Sequence, residues 1–303
     1  MSPRVDWSAA ALSVQRLAVL LEAGLAPTAA FQALAAVRPD DPVVRRAAAA
    51  ADSWTLADEL VQAISRESGE SRRAWSPVAA TWLIATEAGA PIAPTLARLA
   101  DVLRGLAQTA RAVEVALAGP VASARILVLL PVIGVALGLL LGFDTGRVLF
   151  ATPPGWVCLA IGLGLLVAGG LWSRGMLRRA RRRHPAPGLG EELVAVALAG
   201  GLSPDRALAS VRAALHDAGL PVELDGASAT LQFARSAGAP AGALLRSEAE
   251  EARRSSGADA ERAAEVLGVR LMLPLGLCIL PAFLVLAVVP VVLSLVGSTL
   301  SGL

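Results

Sequence analysis

Lysine and tyrosine are absent from all 303 residues, and cysteine and histidine appear twice each. The lack of lysine and tyrosine reads as compositional bias, but several of these gaps bear on function. Without lysine, and without any G-x-x-x-x-G-K-[ST] pattern, the chain does not hydrolyse ATP through a phosphate loop. Cys158 and Cys278 both lie inside apolar runs, so no disulfide framework is expected. His184 and His216 stand outside any metal-ligand spacing and read as solvated surface residues. No G-x-S-x-G elbow and no His-Glu-x-x-His pair occurs. Neither an enzyme nor a cofactor or metal site is therefore expected. Alternating runs of β-branched or aromatic residues are missing outside the apolar segments, which argues against strands.

The most informative gap is in charge. Three stretches, Ile126–Phe143, Val148–Ser173 and Leu271–Leu303, contain no charged side chain. A hydrocarbon core about 30 Å thick takes about 20 helical residues to cross, so each stretch is near or above spanning length. Hydrophobic residues at 55% and a mean hydropathy of +0.62 are too high for an ordinary soluble domain. The reading is a multi-pass membrane protein. Ion and proton carriers usually keep ionisable residues on their pathway, and none lies inside these runs. A small-solute permease, or an accessory subunit of a membrane transporter, is the competing class, and the lack of intramembrane charge weighs against it.

Charge placement sets the expected topology. The net charge is only +2, yet six arginines crowd Arg174–Arg183 directly after the second run. Under the positive-inside rule this cluster stays cytoplasmic, where it can also meet anionic lipid headgroups at about 1 kcal/mol per residue. Nucleic-acid binding is not expected of it. Asp144–Arg147 carries one charge of each sign and reads as a tight outer loop. Arg98, Arg104, Arg111 and Arg125 precede the first run, and Arg253, Arg254, Arg262 and Arg270 precede the third. The expected order is a cytoplasmic helical bundle over 1–122, a transmembrane helix over 123–143 and an outer loop over 144–154. A second transmembrane helix follows over 155–173, then a basic segment with a second cytoplasmic bundle over 174–267. A third transmembrane helix over 268–298 leads to an outer tail at 299–303. The N-terminus is thus inside and the C-terminus outside. Arg16 and Glu22 interrupt the first apolar stretch, so no cleavable signal is expected.

The two polar segments resemble each other. Leu20-Leu21-Glu22-Ala23-Gly24-Leu25-Ala26-Pro27 parallels Ala197-Leu198-Ala199-Gly200-Gly201-Leu202-Ser203-Pro204. Thr86-Glu87-Ala88-Gly89-Ala90-Pro91 parallels Arg235-Ser236-Ala237-Gly238-Ala239-Pro240. Each reads as helix, glycine cap, then proline opening the next helix, so Gly24, Pro27, Gly89, Pro91, Gly201, Pro204, Gly238 and Pro240 are expected as structural corners. The first pair lies 177 positions apart and the second 149, so the first copy is longer. Two corners per copy fit an antiparallel helical bundle. The fold class is all-α, with two repeated cytoplasmic bundles and three transmembrane helices.

After the second corner, Leu96, Leu99, Leu103, Leu106, Ala110, Val113 and Leu117 follow a heptad spacing. Packing inside the chain's own bundle is the first reading, a dimer seam the second. Copy two instead carries Glu248, Glu250, Glu251, Arg253 and Arg254, a solvated face or a docking face for a cytoplasmic partner. Gly134, Gly138 and Gly142 form a small-residue ridge for close helix packing, first against the chain's own second span and otherwise in self-association. Pro274, Pro281 and Pro290 predict a bent last span, buried by neighbours that satisfy the freed carbonyls.

Three stretches carry a family resemblance. Leu17–Leu34 (LAVLLEAGLAPTAAFQAL), Glu87–Leu103 (EAGAPIAPTLARLADVL) and Gly268–Val296 (GVRLMLPLGLCILPAFLVLAVVPVVLSLV) resemble the type II secretion system F family. These are polytopic platform proteins of type II secretion, type IV pili and tight-adherence (Tad/Flp) pili. The Ala-rich sequence resembles the tight-adherence branch most. The glutamate of the Glu-x-Gly corner is present as Glu87 but is Ser236 in copy two. The resemblance implies a non-enzymatic assembly platform in the cytoplasmic (inner) membrane. Its implied partners are a hexameric cytoplasmic secretion ATPase, a pilin or pseudopilin, and further platform subunits as a homo-oligomer or with a paralogue. Candidate ATPase contacts are Glu87 and the Glu248, Glu250, Glu251, Arg253, Arg254 surface.

Overall fold

In a computed structural model, the structure describes residues 6–50, 52, 55–140, 150, 153–180 and 186–292. The described residues are helical with no strand among them. Helix α1 spans Trp7–Glu22, α2 Pro27–Val37, α3 Pro42–Ala48 and α4 Leu56–Arg66. Then come α5 over Glu70–Ala88, α6 over Ile92–Leu140 and α7 over Pro153–Ala180. The later elements are α8 Leu189–Ala199, α9 Pro204–Asp217, α10 Asp225–Ala237 and α11 Ala241–Arg270. A last helical segment covers residues 272–292 and alternates α and π turns, with π turns at Leu275–Ile279 and Leu284–Val288.

The chain divides into two compact units. One combines residues 1–110 and 184–258, the other 111–183 and 259–303. The two segments expected as separate bundles therefore both contribute to the first unit.

In the first unit, local chemistry sets the helix starts. The Asp6 carboxylate accepts from the N–H groups of Ser8 and Ala9, each at 3.1 Å, and the Asp41 carboxylate caps α3 through Val43 and Val44. Pro27, Pro42 and Pro204 occupy first helical positions, where the missing N–H costs nothing. The core is aliphatic, with one aromatic pair at its centre. Phe31 and Trp82 are fully buried, and their rings meet at 5.6 Å between centroids, tilted by 59°, an arrangement aromatic quadrupoles favour. The Trp75 indole N–H donates to the second Asp41 oxygen at 3.1 Å, so one carboxylate caps α3 and holds α5.

The heptad on α6 divides along its length. Leu96, Leu99 and Leu103 are core residues, whereas Ala110 is exposed and Val113 and Leu117 are half-buried. Packing within the unit thus accounts for the first part of the seam.

Two helices among the described residues are long and apolar enough to cross a bilayer, Pro153–Met176 and Ala241–Val292. Only 17% of the first window and 29% of the second is buried, which separates them from the core helices of soluble proteins. The expected first span, 123–143, falls on the last part of α6, where Ile126, Leu129, Ile133, Leu137 and Leu140 are exposed. Its end, the outer loop up to 149 and the tail after 292 lie outside the described residues, as do Gly142 and His184.

The proline-rich segment explains its own π turns. A proline ring clashes with the carbonyl four residues back. For Pro281 that residue is Leu277, inside the first π turn, and for Pro290 it is Leu286, inside the second. Widening the turn makes room for the ring. A consequence is a straight stripe: Pro274, Cys278, Ala282, Leu286 and Pro290 are all buried. Four-residue spacing drifts by about 40° per step on a 3.6-residue helix, which would carry Pro274 and Pro290 to nearly opposite sides. Two π turns, each taking up one extra residue, remove most of that drift. The opposite side is not buried as the sequence suggested. Met272, Leu273, Leu277 and Leu280 are all more than half exposed.

Candidate functional site

All four expected corners adopt the same geometry. Gly24, Gly89, Gly201 and Gly238 have φ of +87°, +68°, +98° and +64°, the left-handed region that only glycine enters freely. In each, the residue after the glycine donates its N–H five residues back: Leu25 to Leu20, Ala90 to Ala85, Leu202 to Ala197 and Ala239 to Ala234, at 2.9–3.1 Å. This is the Schellman pattern that satisfies helix-end carbonyls. Pro27 and Pro204 open the next helices directly, while Pro91 and Pro240 stand one residue before α6 and α11. The Thr95 hydroxyl donates to the Pro91 carbonyl at 2.8 Å, and Ala243 and Leu244 donate to the Pro240 carbonyl. A fifth corner of the same kind, at Gly219 (φ +67°), was not anticipated. Leu220 donates to Leu215 there at 2.8 Å. Its signal was present in Ala218-Gly219-Leu220-Pro221, which repeats the glycine-leucine start of the first corner.

Two of the corners meet. The end of α5 packs on α8 and α9, and a Cβ at Gly200 would overlap the Ala88 carbonyl oxygen and side chain. Glycine at 200 is thus required by space, since its own φ is −78°. Beside this contact the Ser210 hydroxyl donates to Glu87 Oε1 at 2.6 Å. Ser210 is buried and Glu87 stays exposed at its other edge. Glu87 therefore bridges the first half of the unit to the second while presenting its remaining carboxylate edge to solvent.

The charged stretch of α11 splits into an inward and an outward part. Arg253 turns inward and pairs with Glu192 of α8 at 3.7 Å, with side-chain exposures of 21% and 11%. At such burial the pair acts as a tie between helices: removing one partner strands a charge in a low-dielectric site. Arg254 faces outward and pairs with Glu251 at 3.1 Å and Glu250 at 3.8 Å. Those three side chains are each more than 60% exposed, so the pairs add little stability. Glu248 is exposed beside them. Of the five charged candidates on α11, Glu248, Glu250, Glu251 and Arg254 are therefore exposed to solvent and Arg253 is not.

Within the second unit, glycines create the helix contact. A Cβ at Gly134 would fall 2.7 Å from the Ala287 Cβ and 3.0 Å from the Phe283 ring. The atoms nearest Gly134 thus belong to the last helix, where the sequence had pointed first to the second apolar run. On α7, a Cβ at Gly162 would overlap Leu286, and one at Gly169 would fall 3.0 Å from the Cys278 Cβ. These two glycines, seven residues apart, lie on one face and were not singled out from the sequence. Gly164, Gly170 and Gly175 on the same helix have open space beside them. Nothing is described of the surroundings of Gly138. Among the described residues no group of three or more His, Cys, Asp or Glu stands together. His216 is exposed beside Asp217 at 3.4 Å.

No curated protein and no solved structure matches the chain. Residues 14–140 match the family described as Type II secretion system (T2SS), protein F. That stretch runs from α1 into the first apolar run and includes two of the corners and Glu87. Over residues 14–140 the chain is thus similar to the type II secretion system F domain.

Proposed function

We propose that the chain is a membrane platform subunit of a type II secretion or type IV pilus machine, of the tight-adherence (Tad/Flp) kind, and not an enzyme. In this role it couples a cytoplasmic secretion ATPase to the lifting of pilin or pseudopilin subunits from the inner membrane. The observation that carries the reading is the similarity to the F domain over residues 14–140 in a chain that also holds two long, apolar, largely exposed helices. The matching corners at Gly201 and Gly238 support a second copy of the same helical unit over 174–267. In that duplication α8, α9, α10 and α11 correspond to α1, α2, α5 and α6, and the extra length of copy one holds α3 and α4. Three spans, with both copies on the cytoplasmic side, agree with the arginine clusters before and after the apolar runs.

The motor contact is assigned to the exposed α11 face of Glu248, Glu250, Glu251 and Arg254 and to the free edge of Glu87. Purification in mild detergent with a secretion-type ATPase is the test. The ATPase is expected to co-elute, and charge reversal of Glu248, Glu250 and Glu251 to arginine should weaken co-elution by about tenfold or more, as loss of a charged hot spot does. Failure of the ATPase to bind the unaltered chain, with both proteins folded, would overturn the coupling role.

A further inference from the structure

The contact between the two halves of the first unit uses only one of two equivalent places. Ala80, Ile84 and Ala88 of α5 are all buried and lie on one stripe with Glu87, and α5 packs on α8 and α9. Its seat is Gly200, against Ala88, and Ser210, bonded to Glu87; Leu189, Leu193 and Val196 of the receiving helix α8 are also buried. The duplication proposed above, on which this inference rests, gives each face a counterpart. The 149-residue offset turns Ile84 into Phe233 and Ala88 into Ala237. The 177-residue offset turns Leu189 into Leu12 and Val196 into Val19.

These counterparts are open. Phe233 is 60% exposed, and Leu12 and Val19 are each 52% exposed, whereas Ile84, Leu189 and Val196 are between 0% and 4%. Ala237, the counterpart of Ala88, is exposed. So is Ala23, the counterpart of the Gly200 seat. The chain thus presents one unfilled inserting face, on α10, and one unfilled receiving face, on α1 and α2. Both remain apolar where solvent would favour polar residues, and Phe233 is the kind of aromatic anchor that interfaces concentrate. One oppositely charged pair is available, exposed Arg235 two residues before Ala237 and exposed Glu22 one residue before Ala23, while exposed Arg16 adds a positive charge to the receiving face.

We infer that the α10 face of one chain docks on the α1–α2 face of a second copy, repeating between chains the seat that α5 makes on α8 and α9 within one. The contact is heterologous, since two different faces meet, and each chain keeps one of each free for the next. Arg16 stands where Leu193 does in the template, so the seat between chains is more polar than the one within, as in interfaces whose partners also exist apart.

A pair of cysteine substitutions tests this on the full chain in membranes, in a background with Cys158→Ala and Cys278→Ala. Glu87→Cys with Ser210→Cys in one chain reports the template contact, and the counterpart positions are Ser236 and Ala33. Both are exposed and tolerate substitution. Two differently tagged chains, one carrying Ser236→Cys and the other Ala33→Cys, are expected to form a disulfide with each other on mild oxidation. Either chain alone should not, and Phe233→Asp in the Ser236→Cys chain should cut the yield about tenfold. A disulfide at 87 and 210 with none between chains overturns the inference and leaves the duplication standing. Absence of the disulfide at 87 and 210 removes the template and overturns both.

Discussion

The two units solve the same problem, fixing helix against helix, by opposite means. The first fills space: Phe31, Trp82, Leu17, Leu60, Leu96 and Leu103 are buried to 1% or less, and the glycines are mainly at helix ends. The second removes volume: Gly134, Gly162 and Gly169 lie against Ala287, Leu286 and Cys278, while large side chains such as Leu129, Leu163 and Leu277 point outward. Water explains the first pattern, and the membrane setting proposed above would explain the second. Burying leucine from water is worth about 1.5–3 kcal/mol, but between helices already in hydrocarbon that term vanishes and only close packing and hydrogen bonds remain. Glycine, which weakens a soluble helix, becomes the contact residue.

The sharpest break of this contrast is Trp82→Ala. It should destabilise the first unit by about 3–5 kcal/mol, read as a lowered midpoint of thermal unfolding, while Leu277→Ala on the exposed side of the last helix should shift the midpoint little. Gly162→Leu comes next. Its side chain would overlap Leu286, and a cost of roughly 2–3 kcal/mol is expected in denaturant titration of the detergent-solubilised protein. Gly164→Leu, on the same helix with open space beside it, should stay within about 0.5 kcal/mol. Glu192→Ala strands Arg253 and should cost about 2 kcal/mol; Glu250→Ala in the exposed network should cost no more than a few tenths. The smallest effect divides two glycines of the first unit by sign. Gly89→Ala forces a side chain into left-handed backbone and should destabilise by about 1 kcal/mol. Gly105→Ala, in the open interior of α6, should stabilise by up to about 1 kcal/mol.

What could be read in the sequence was local. The corners at Gly24, Gly89, Gly201 and Gly238 were legible because a glycine that must turn left-handed sits between a helix-period run and a proline. Gly219 carries part of the same signal in Ala218-Gly219-Leu220-Pro221, but no helix opens at Pro221, since the next one starts at Asp225. The all-helical class followed from the lack of strand alternation, and the core part of the α6 heptad from its leucines. Long-range pairings were not legible. Glu87 with Ser210, and Glu192 with Arg253, join residues far apart in the chain, and nothing in either neighbourhood names the partner. That Arg253 turns inward while Arg254 turns outward depends on helix phase, which a run of five charged residues obscures. The same holds on α7, where the phase of one helix selects Gly162 and Gly169 over Gly164 and Gly170. Three prolines announced irregularity in the last helix; that Pro281 and Pro290 are each met by a π turn, and that the buried stripe is thereby straight, is a matter of backbone geometry that the sequence does not spell out.

On the function proposed above, the chain serves as an assembly platform. Deleting it from its native cell and measuring pilin in the membrane against pilin in assembled fibres tests this most directly. Platform function predicts that pilin accumulates in the membrane, fibres disappear, and the unaltered chain restores them while the triple Glu248/Glu250/Glu251→Arg chain does not. Normal fibre assembly, or normal export by the corresponding secretion machine, in the deletion strain would contradict it.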